Sequence, residues 1–86
     1  MNKQDEILTI AQEECGELVQ IVSKVRRFGL ESNLDRLSQE AGDVLCMIEL
    51  MVENNIVSQE DLNLAKSLKR EKLKTWSNIF KTNETI

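Results

Sequence analysis

The chain has 86 residues, enough for one small domain, and at that size folding hides only somewhat more than half of the chain's surface. Hydrophobic residues make up 41% and His is absent, which excludes a disordered chain, Ser-His and Cys-His nucleophile pairs, the usual zinc sites and Glu-x-x-His di-iron bundles. A net charge of −4, from 15 acids and 11 bases, argues against a general nucleic-acid binder, and any metal must be held mainly by carboxylates, which favours Mg2+, Mn2+ or Ca2+.

With no Pro and only three Gly, a chain rich in Leu, Glu, Lys, Gln and Ile reads as helical. The first predicted helix runs from about Lys3 to Arg27, with Asn2 as N-cap and Gly29 as stop signal. A connector, Gly29-Leu30-Glu31-Ser32, follows, and Ser32 or Asn33 caps a second helix that extends to about Glu53 and is closed by Asn54-Asn55. Ser58, with Asp61 three residues on, resembles a capping box and opens a third helix to roughly Ser77. The tail from Lys81 to Ile86 is polar and expected to fray. Cys15 and Cys46 have no Cys-x-x-Cys spacing and lie beside apolar residues, so reduced core thiols are expected. No signal peptide or membrane span is visible, which makes the expected location cytoplasmic.

At about 100° per residue, Ile7, Ile10, Leu18, Ile21, Val22 and Val25 share a broad apolar arc on the first helix. Glu14 falls within that arc, roughly 20° from Ile7 and Ile21, and Glu17 lies at its margin. Glu13 is turned further to the polar side. Leu37, Ala41, Val44, Ile48, Met51 and Val52 form the apolar arc of the second helix. There Glu40 projects between Met47 and Met51, and Asp43 between Met47 and Leu50. Each helix thus carries two acids three residues apart on or beside its buried face. Either pair alone is common on solvated helix faces. Both pairs together on apolar arcs are untenable without compensation, and a divalent cation is the natural compensation. Spacing of i, i+3 puts both oxygens of a pair on one side of a helix, so two facing pairs can surround one or two hard cations.

These residues resemble the MazG-like, all-α nucleoside triphosphate pyrophosphohydrolases. Glu13-Glu14-Cys15-Gly16-Glu17 matches the family's Glu-Glu-x-x-Glu element, and Glu40-Ala41-Gly42-Asp43 its Glu-x-x-Asp element. Ser23-Lys24-Val25-Arg26-Arg27-Phe28-Gly29 is similar to the small, often viral members, which would place the protein in a host cytoplasm. The resemblance covers roughly Glu6 to Met51. It implies hydrolysis of a nucleoside or deoxynucleoside triphosphate to the monophosphate and pyrophosphate, with Mg2+ (or Mn2+ in its place) held by Glu14, Glu17, Glu40 and Asp43. Glu13 fits the first, less constant position, where it binds a second metal or orients water. The resemblance also implies a homodimer or homotetramer in which helices from two chains complete each site.

The mechanism expected from these residues is attack of a metal-activated water on the α-phosphorus, with Glu13 or Glu14 accepting the proton. Lys24 and Arg27, one to three turns beyond Glu17, are candidate phosphate contacts. Lys69 and Lys72 are weaker ones, from a basic run in which four lysines and Arg70 between Lys66 and Lys74 oppose only Glu71. Phe28 and Trp76 read as core rather than as base-stacking groups. The expected fold is all-α, a three-helix protomer in a single domain, residues 1–86, assembling into a four-helix-bundle-type core across a dimer or tetramer. Two alternatives stand beside the enzyme. One is a non-enzymatic helical dimerisation module whose acids pair with the lysine-rich third helix. The other keeps the fold but acts on phosphoribosyl-ATP or a dedicated pyrimidine deoxynucleotide.

Overall fold

The computed structural model describes residues 1–81, and among them every regular element is helical. Helix α1 spans Lys3–Phe28, α2 spans Leu34–Glu53 and α3 spans Gln59–Trp76, with a 3-10 turn at Glu31–Asn33 between α1 and α2. Among the described residues, no helix is long and apolar enough to cross a membrane. The chain divides into two compact units, Met1–Ile56 and Val57 onward. Beyond Lys81, the tail expected to fray lies outside the described residues.

The helix ends follow local chemistry. Asn2 Oδ1 accepts a hydrogen bond from the Asp5 amide at 2.7 Å, and Asp5 and Glu6 place negative charge in the first turn of α1. Gly29 ends that helix at φ 101°, a backbone angle that side chains other than hydrogen strain to adopt, while its amide donates to the Val25 carbonyl. Asn33 holds the N-cap position of α2 but makes no side-chain cap. Its side-chain Nδ2 instead donates back to the Gly29 carbonyl at 2.9 Å and to Ser32 Oγ at 3.3 Å, bracing the connector. Helix α2 closes with Asn55 at φ 59°, the Asn55 amide on the Val52 carbonyl and the Ile56 amide on the Met51 carbonyl. That is the bond pattern of a Schellman motif, with Ile56 and Met51 in the same apolar cluster.

In the first unit α1 and α2 form an antiparallel hairpin. Ile7 and Ala11 near the start of α1 pack with Met47 near the end of α2, and Ile10, Leu50, Met51 and Ile56 close around them. The core is thin: among the described residues, Ile7, Ala11, Ile21 and Met47 are the buried apolar ones. Two helices can cover only one side of each other, and this corrects the expectation for the cysteines, because Cys15 and Cys46 are both exposed. Each stands beside its helix's contact face rather than on it. In the second unit, Ser58 Oγ accepts from the Asp61 amide at 3.0 Å to start α3, and Ser77 ends it by donating its hydroxyl to the Leu73 carbonyl. No residue of α3 is buried; Leu64 and Leu68 are exposed, and Arg70 stacks over the Phe80 ring at 4.8 Å.

Candidate functional site

The hairpin sets the acids of its two helices against each other. Glu14, near the middle of α1, is half-buried, and Glu40, in the first half of α2, is only 4% exposed. One carboxylate oxygen from each of Glu14, Glu40 and Asp43 can be chosen so that all three lie within 4.8 Å of one another. Glu17 lies on the exposed side of α1 and is close enough to Glu40 for their carboxyls to share a hydrogen bond. Of the four acids singled out in the sequence, Glu14, Glu40 and Asp43 come together, and Glu17 stands beside Glu40. They do so as a gradient rather than a sealed pocket, with Glu40 inside and Glu17 and Asp43 at the surface.

The electrostatics record the crowding. Burial, then the charges of Glu17 and Asp43, a hydrogen bond with Asp43 and the charge of Glu13 all push the Glu14 carboxyl above its ordinary 4.5. For Glu40 the leading cause is the hydrogen bond with Glu17, followed by burial and the Glu17 charge. Arg36 acts in the other direction, with its Nε 3.9 Å from Glu40 Oε1. That separation is too long for a hydrogen bond, and the Arg36 side chain is 56% exposed, so solvent screens it. The acidic neighbours outweigh it, and the net shift is upward.

Two oxygens in this cluster, Glu14 Oε2 and Glu40 Oε2, are buried with no hydrogen-bond partner. Buried acceptors normally find a donor, so each marks a place where a positive group fits. The donor set is all carboxylate oxygen, which suits a hard cation. Three oxygens within 4.8 Å of one another are close enough to share one such cation.

The remaining residues of the sequence reading are placed differently. Glu13 is exposed and acts on the cluster only through its charge on Glu14. Lys24 and Arg27 are exposed beyond the acids on α1; Arg27 rests over the Phe28 ring at 5.2 Å and shares an open cleft of about 560 Å³ with Ser23 and Arg26. Lys69 and Lys72 are exposed on α3 in the second unit. Phe28 and Trp76, read as core, are 69% and 82% exposed, because neither end of its helix is covered. Arg36 was not among the expected residues. Its signal in the sequence is the i, i+4 spacing to Glu40, which places a cation one turn before the buried acid. Comparison with protein-family models, with characterised proteins and with solved structures gives no match.

Proposed function

We propose that the protein is a Mg2+-dependent nucleoside triphosphate pyrophosphohydrolase that acts as a homodimer or homotetramer. The observation that carries this reading is the convergence of Glu14, Glu40 and Asp43 from two helices, with two buried carboxylate oxygens lacking any partner. An ion-pair surface would leave such oxygens facing lysine or arginine, whereas the ion pair recorded at this cluster among the described residues is that of Arg36 with Glu40, at the edge of contact.

In this reading Glu14, Glu17, Glu40 and Asp43 would hold Mg2+, with Mn2+ as a substitute, and the ion would supply charge neutralisation for the phosphates and acidify water. The chain's own part is proton handling and positioning. Glu14, the half-buried acid at the centre of the cluster, is the first candidate to take the proton of the attacking water. Glu13 beside it is the second candidate. Water oxygen bonds to the α-phosphorus, the bond to the bridging oxygen breaks, and pyrophosphate leaves with the electron pair. Lys24, Arg27, Lys69 and Lys72 are the proposed phosphate contacts, and their charge would offset the spreading negative charge.

The test is chromatographic product analysis with each common NTP and dNTP in Mg2+. Monophosphate and pyrophosphate, abolished by a chelator and reduced at least about a hundredfold in Glu14→Ala and Asp43→Ala, are expected. Diphosphate and orthophosphate would place the attack at the wrong phosphorus and refute the mechanism. Full activity in either variant would refute the site.

A further inference from the structure

The hairpin uses only part of α1. Leu8, Cys15, Val19, Val22 and Arg26 fall within an arc of about 60° on that helix, centred roughly a quarter turn from the buried line of Ile7 and Ile21. Leu8 is 39% exposed, Val19 65% and Val22 41%. Between this stripe and α2 runs an apolar groove of about 380 Å³ lined by Leu8, Ala11, Gln12, Cys15 and Met51.

The stripe has a two-fold character of its own. Leu8 and Val22 lie one heptad either side of Cys15. Asp5 stands at the edge of the stripe and Arg26 on it, about 15–17 Å before and after Cys15 along the axis. Neither Asp5 nor Arg26 has an ion-pair partner among the described residues. Turned end for end about Cys15, the stripe therefore presents apolar side chains to apolar side chains and acid to base at both ends. A parallel pairing would instead set Asp5 against Asp5 and Arg26 against Arg26. Antiparallel helices also oppose their dipoles, and a two-fold contact is the commonest way for identical chains to associate.

We propose that the face of α1 running from Asp5 to Arg26 is the docking surface for α1 of a second copy of this chain, packed antiparallel about Cys15. Leu8 meets Val22 of the second copy, Asp5 pairs with Arg26 of the second copy at each end, and the small Cys15 at the centre lets the helices approach closely. This contact does not rest on the catalytic reading. It leaves the acids of α1 on the other side of the helix, facing α2.

The test uses the full chain in analytical ultracentrifugation. The wild type is expected to dimerise, and Val19→Glu, which puts two charges into the contact, should raise the dimer dissociation constant on the order of a hundredfold. Circular dichroism of Val19→Glu should stay helical, since that side chain is exposed in the single chain. Asp5→Arg and Arg26→Asp should each weaken the dimer about tenfold, and the double variant should recover most of the loss. With Cys46→Ser as background, the oxidant diamide should join two Cys15 thiols into one disulfide while being reduced to the hydrazine. Monomer at all concentrations, a dimer indifferent to Val19→Glu, or a double variant no better than the worse single one would each overturn the proposal. Turnover measured on the same variants separates this contact from the catalytic site.

Discussion

In the proposed metal site, the raised carboxyls of Glu14 and Glu40 would tie metal binding to protons. In the unfolded chain both groups titrate near the ordinary 4.5; in the folded hairpin both hold their protons to higher pH. Without metal, their contribution to stability is fully present below about pH 4.5 and is lost as pH rises through the raised values, the reverse of a carboxylate stabilised by a cation. A cation needs both groups ionised, so its binding expels up to about two protons within that window. Its affinity should then rise between about tenfold and a hundredfold per pH unit just above pH 4.5 and level off once both groups are ionised in the free protein. Titration calorimetry with Mg2+, in two buffers of different ionisation enthalpy at each of several pH values, reads the affinity and the proton count together. A flat affinity from about pH 4.5 upward, with no proton release anywhere above it, would show that Glu14 and Glu40 are not the groups the ion meets.

Three other outcomes are expected. Met47→Ala should lower the unfolding free energy by about 2–3 kcal/mol, the low end for such a truncation because the thin core can close over the gap, and denaturant melts at fixed concentration check it. Arg36→Ala removes the one cation that opposes the rise at Glu40, so the metal-affinity curve should move to higher pH; a shift to lower pH would contradict the assigned role. Ser58→Ala should lower hydrogen-exchange protection of the α3 amides about fivefold, the effect of losing a cap of about 1 kcal/mol, while α1 and α2 amides stay as they were. Equal losses in all three helices would mean that the cap is not a local device.

The sequence was most legible where one residue decides an outcome. Asn2 and Ser58 act as caps because their short polar side chains reach the third residue of their helices, and Gly29 stops α1 because its backbone angle suits no other residue. The acid cluster was legible too, since Glu14 and Glu40 interrupt apolar arcs that had to face each other. The 3-10 turn at Glu31–Asn33 was not, because it rests on Asn33 reaching back to Gly29 rather than forward as a cap. The exposure of Cys15 and Cys46 was hidden for another reason. A helical wheel shows which side of a helix is apolar, not how much of that side a single neighbour can cover.

Glu14 and Glu40 meet across a hairpin whose helices are joined by one short connector. Contacts this local form early, and closing so short a link takes well under a microsecond. The acids are therefore driven together in the same step that zips α1 onto α2, so their repulsion belongs to the barrier of that step and not only to the finished structure. In the proposed reading, a cation present during folding would act on the speed of hairpin closure, and the order in which the chain meets that ion would become part of how fast it reaches its native form.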